Sequence, residues 1–184
     1  SGDEPAVPTE VSSDTTVNAT TANNMVGQLE GLANQGTYSS GRNNSYYIAG
    51  LAYDAHTKDI RPETTLPGAQ TISTYWLDVR ENQTYLSRNQ YWLAAKYGGF
   101  EVAAGFDPYA TGNGTGTLAD STWTRPGQTV GADQRPNNYF IASDPQAMVT
   151  GLRSAFARIS SENAAASTTA FSTTTAKVSR TGTA

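Results

Sequence analysis

His56 is the only histidine in the chain and stands between Asp54 and Asp59, an arrangement in which a carboxylate can orient an imidazole as general base. Such a base needs a partner to act with. The chain has no Gly-x-Ser-x-Gly elbow and no second histidine, so a helix-end histidine that packs or caps a carbonyl is the favoured reading and no catalytic residue is assigned. Aromatic residues offer a second chemistry. Tyr75, Trp76, Tyr91 and Trp92 could stack on a sugar, but at strand and helix spacing such residues more often build core. Tyr109 and Trp123 lie in a long Gly-rich stretch with few neighbours for burial. They are the candidate binding residues, because amphipathic rings anchor interfaces; packing of that stretch against its own domain is the equally open reading.

The elements that must position these residues follow from apolar spacing. Residues 1–24 are polar, carry Pro5 and Pro8, and read as an extended loop. A weak helix is expected over 25–36 from Met25, Leu29 and Leu32, although Gly27 and Gly31 each cost about 1 kcal/mol relative to alanine. The helix NSYYIAGLAYDAHTKD is capped by Ser45 or Asn44, places Tyr47, Ile48, Leu51, Ala52 and Ala55 on one face, and ends at Pro62. QTISTYWLDVRE reads as a strand buried on both sides, with Ile72, Tyr75, Trp76, Leu77 and Val79 on both faces. NQYWLAAKYGG is a helix with Tyr91, Trp92 and Ala95 inward and Gly98-Gly99 as its stop. Residues 100–138, with their TGNGTGT run, form a long insert. A short strand, NYFIA, then leads into the strongest helix, SDPQAMVTGLRSAFARIS. Ser143 or Asp144 caps it, and Met148, Val149, Leu152, Phe156 and Ile159 share a face. Residues 163–184 read as a linker or isolated edge strand. This alternation of helices and strands predicts an α/β fold.

Composition narrows the function. The 184 residues carry a net charge of -4 and are 37% hydrophobic, with a pI near 4.9, and the basic residues form no stripe of the kind nucleic acid requires. Cysteine is absent, which excludes disulfides, thiolate metal sites and a cysteine nucleophile. No apolar run is long enough to span a bilayer and the first residues do not form a signal peptide, so export is expected to be encoded upstream or not at all. Four Asn-x-Ser/Thr sequons, at Asn18, Asn43, Asn82 and Asn113, are expected by chance in a chain this rich in Asn and Thr.

Four ordered blocks carry a resemblance: IAGLAYDAHTKDIRP at Ile48 to Pro62, QTISTYWLDV at Gln70 to Val79, NQYWLAAKYGGF at Asn89 to Phe100, and PNNYFIASDPQAMVTGLRSAFARI at Pro136 to Ile159. Together they resemble the N-terminal, von Willebrand A-like region of the PilC/PilY family of type IV pilus tip-associated adhesins. The resemblance implies that residues 25–162 are the carboxyl-side part of a partial von Willebrand A-like (Rossmann-like) open sheet with flanking helices, with 100–138 as its insert. It implies a non-enzymatic pilus tip adhesin and assembly factor, extracellular at the bacterial cell surface, that mediates surface attachment and pilus biogenesis. The partners implied are minor pilins or other pilus tip proteins, a host or abiotic surface, and an upstream fragment completing the domain. The alternative is a stand-alone carbohydrate-binding module using the aromatics of the insert.

The metal elements of such domains, an Asp-x-Ser-x-Ser loop, a later Thr and a Thr-Asp-Gly turn, do not occur in this chain. Many relatives also carry a calcium-loop-like acidic run before Asn-Tyr-Phe, where this chain has GADQRPNNYF and only Asp133 is acidic. One carboxylate cannot supply the oxygens that calcium takes, so neither metal nor cofactor is expected.

Overall fold

The computed structural model describes residues 13–32, 47–61, 64–79, 84–110 and 118–172, with side chains as far as residue 164. Helix α1 (Ala19–Leu29) starts at Asn18, whose Oδ1 accepts from Thr21 N at 2.9 Å and satisfies an amide that the helix itself leaves without a partner. The helix therefore begins upstream of Met25, inside the stretch expected to be loop. Its first buried positions, Ala19, Ala22 and Asn23, are small or polar, so apolar spacing did not reveal them.

Helix α2 (Tyr47–Thr57) crosses α1 at Gly50. A Cβ on Gly50 would lie 2.5 Å from Asn23 N, so the two backbones approach as closely as only glycine permits. That contact selects a different inward face from the one expected. Ala49, Gly50, Ala52, Tyr53 and Asp54 are buried, whereas Ile48 is exposed. The expected caps Asn44 and Ser45 lie outside the described residues.

Strand β1 (Trp76–Val79) is followed by α3 (Gln90–Tyr97), a single turn α4 (Asp120–Trp123), the strands β2 (Thr124–Val130), β3 (Asp133–Pro136) and β4 (Tyr139–Ala142), and the long α5 (Pro145–Ser172). β1 and β4 pair in parallel, with Trp76 opposite Tyr139 and Leu77 opposite Phe140. Parallel neighbours need a crossover, which α3 and the β2–β3 hairpin provide. Successive side chains of the pair face opposite ways: Trp76 stacks on Tyr91 of α3, while Leu77 and Phe140 approach Gly151 of α5. Helices thus lie against both faces, yet β1 is only half-buried and Val79 is 50% exposed. The expectation of a strand sealed on both sides is corrected, because β1 has a single neighbouring strand among the described residues.

Much of the expected structureless insert is a hairpin. β2 and β3 are antiparallel, and Gly131, at φ 56°, opens the turn between Val130 and Asp133 as a two-residue hairpin loop requires. The TGNGTGT run lies outside the described residues.

Asp144 is the cap of α5, its Oδ1 accepting from Ala147 N at 2.8 Å. The helix runs to Ser172, well into the expected linker. Of its expected apolar stripe, only Met148 and Ile159 are half-buried. Val149, Leu152 and Phe156 are exposed, and the small residue Gly151 meets the sheet instead.

Candidate functional site

The strongest electrostatic feature is buried where α1 ends against α3. Lys96 Nζ lies 2.7 Å from Glu30 Oε2, and the two side chains are 3% and 4% exposed. Tyr97 donates its hydroxyl to the same oxygen at 2.6 Å, and an Arg88 nitrogen stands 3.6 Å from the other. The ammonium sits 3.9 Å from the centroid of the Trp123 ring, with Trp92 and Tyr97 also within cation–π range. Burial lowers the Lys96 pKa while Glu30 opposes the shift, and burial raises that of Tyr97. This aromatic box already holds its own cation and counter-ion. It joins α1, α3 and the turn leading into the hairpin.

Trp123 is therefore not at the surface. It is 5% exposed and edge-on to Trp92 at 5.5 Å, so the expectation of an exposed contact residue is corrected. Folding of residues 118–136 into a turn and hairpin brings it onto α3. Tyr109 is half-buried; its hydroxyl bonds Asp54 Oδ1 and its ring meets Tyr53 edge-on. It still lines an open cleft of about 560 Å³ together with Thr16, Asn18, Asp54 and Lys58. The two candidate residues pack against different helices, Tyr109 against α2 and Trp123 against α3.

His56 Nε2 lies 2.8 Å from the Phe100 carbonyl oxygen, which requires the proton on that nitrogen. Its flanking carboxylates bond elsewhere: Asp54 accepts from Tyr109, and Asp59 Oδ1 accepts the amides of Arg61 and Gln70. The ring is edge-on to Phe100, and the imidazole ties the end of α2 to the loop after α3.

Asp133 accepts from the Tyr85 hydroxyl at 2.7 Å, the Ser87 hydroxyl at 3.0 Å and Arg88 N at 3.0 Å. It fastens the hairpin turn to the approach of α3. Among the described residues no three His, Asp or Glu side chains cluster as a metal site, and no helix is long and apolar enough to cross a membrane.

The chain is 42% identical, in a 177-position alignment that covers 86% of it, to a protein of Xylella fastidiosa named type IV pilus biogenesis factor PilY1 homolog. The chain belongs to the PilY1 family. It spans 14% of that relative's length. No family model matches the chain, and no solved structure matches it.

In this PilY1-family chain the residues that carried the sequence resemblance are packing and capping groups. Asn89 caps α3 by accepting from the amides of Tyr91 and Trp92. A Cβ on Gly99 would stand 2.0 Å from Asn138 Nδ2, and buried Asn138 donates to Thr74 O at 3.0 Å while accepting from Arg158 Nε at 2.6 Å. Sequence reading missed two groups of the PilY1-family chain: the Glu30–Lys96 pair, and the arginines Arg125, Arg135 and Arg158 that line one cleft. A lysine among inward residues of α3 was the available signal for the first. The second had none, because tertiary packing alone gathers those arginines.

Proposed function

We propose that this chain acts in type IV pilus biogenesis, as a non-enzymatic assembly factor carried outside the cell at the pilus tip, where it also mediates surface attachment. The observation that carries this reading is the 42% identity over 86% of the chain to a relative bearing the name pilus biogenesis factor. Minor pilins or other tip proteins are the proposed partners. The adhesive half of the proposal rests on the four-block resemblance, with Tyr109 and its cleft as the contact region.

The parallel β1–β4 pair with α3 and α5 is read as the carboxyl-side part of a von Willebrand A-like open sheet. Two features support this reading. Each of the two strands has one free edge among the described residues, and Val149, Leu152 and Phe156 form an exposed apolar stripe on α5 that an upstream segment completing the sheet would help to cover.

The test is a deletion strain complemented with the full-length gene or with one lacking the segment encoding this chain, scored for surface pili and for co-purification of minor pilins. Restoration only by the full-length gene, with pilins co-purifying, is expected. Wild-type pilus number in the deletion strain together with no pilin recovery would sink the proposal. A carbohydrate-binding module is the second reading, favoured by the open cleft at Tyr109; glycan binding lost on Tyr109→Ala with pilus number intact would select it.

A further inference from the structure

Between the β2–β3 hairpin and α5 lies a cleft of about 470 Å³ lined by Arg125 of β2, Arg135 of β3 and Arg158 of α5, together with Asn137, Phe140 and Ser154. Three guanidiniums converge here in a chain whose net charge is -4. Arg135 donates to Tyr139 O at 2.5 Å and to Gln128 Oε1. Arg158 donates from Nε to Asn138 Oδ1 and pairs with Glu162 at 3.0 Å. A guanidinium has five N–H donors, so both keep donors after these bonds, and the exposed Arg125 side chain makes no hydrogen bond or ion pair among the described residues. Glu162, which also bonds the Tyr75 hydroxyl, offsets one of the three charges. Asp144 faces an adjoining cleft that shares Arg135, Phe140 and Ser154.

We propose that this cleft binds the oxyanion of an acidic sugar unit, with Arg125, Arg135 and Arg158 as its cationic wall. The planar fork of arginine matches the two oxygens of a sugar carboxylate. Asn137 and Ser154 supply neutral groups suited to sugar hydroxyls, and Ala157 with the small exposed edge of the buried Phe140 supplies apolar surface beside them. The volume is that of an ordinary small-molecule site. Burial lowers the Arg135 pKa, so an incoming anion would meet a partly desolvated charge and bind it more strongly than in open water.

The test titrates the 184-residue chain with glucuronate, glucose and inorganic sulfate by calorimetry. Saturable glucuronate binding that sulfate displaces, with glucose silent over the same range, is expected. Arg125→Gln should weaken it about tenfold or more without moving the melting temperature, since Arg125 is exposed and unpaired, and added salt should weaken it in the wild type. Arg158→Gln provides a second arm from α5. The proposal is overturned by equal glucose binding, by sulfate binding without glucuronate binding, by no saturable binding of either anion, or by glucuronate affinity unchanged in both variants.

Discussion

Lys96 Nζ lies 2.7 Å from Glu30 Oε2, with the indole of Trp123 across the ammonium at 3.9 Å. Desolvating two charges costs several kcal/mol per ion, which only the pair and its extra hydrogen bonds offset. Removing one partner therefore leaves an uncompensated buried charge. Lys96→Met and Glu30→Gln should each cost about 3–5 kcal/mol in denaturant unfolding, and the double variant should recover much of the loss. Single losses below about 1 kcal/mol would contradict the assignment.

Gly50→Ala places a Cβ 2.5 Å from the backbone nitrogen of Asn23. Neither helix backbone can yield as a flexible side chain would, so α1 and α2 must separate. A loss of about 1–3 kcal/mol is expected, read as a lowered thermal midpoint; an unchanged or raised midpoint would mean that α1 and α2 do not pack at this crossing.

Alkaline pH should unfold the protein. Burial is the first cause that raises the phenols of Tyr53, Tyr75, Tyr85, Tyr97 and Tyr109 above their ordinary 10.0. The native state then keeps protons that the unfolded chain releases, so this stability is complete below pH 10 and falls as pH rises beyond it. Lys96 and Arg135, lowered from 10.5 and 12.5 by burial, work in the opposite direction, but as two groups against five. Tyrosinate absorbance rising together with loss of circular dichroism is expected; tyrosinate appearing well before unfolding would count against it.

Asp133→Ala removes the acceptor of Tyr85, Ser87 and Arg88 and should cost about 1–3 kcal/mol. Because that carboxylate is engaged by protein donors, calcium or a chelator should leave the wild-type melting temperature unchanged. A calcium-dependent rise abolished by Asp133→Ala would assign the residue to a metal instead.

Phe156 is 64% exposed. Phe156→Ser should change stability by no more than about 0.5 kcal/mol while reducing self-association in sedimentation, because it breaks the apolar stripe on α5. A core-sized loss would place Phe156 inside the packed structure.

The caps and stops were legible from sequence because they are local chemistry. Asn and Asp accept amides two or three residues ahead, so the sequence offers Ser143 or Asp144 as the cap of α5, of which Asp144 accepts the Ala147 amide, and Gly98-Gly99 ends α3 where expected. Outside the insert, where α4 and the β2–β3 hairpin were not expected, the order of helices and strands was legible for the same reason, in short contiguous blocks, and so was the family. Which face of α2 or α5 turns inward depends instead on what it packs against. Gly50 lets α1 approach and Gly151 lets Leu77 approach, so small residues took the buried positions that apolar spacing had assigned to Ile48 and Phe156. Tertiary structure alone moved Trp123 from an expected surface into the core, joined Glu30 to Lys96 across 66 positions of sequence, and gathered Arg125, Arg135 and Arg158 into one cleft. Charge pairing and burial act through space, and sequence spacing records only neighbours along the chain.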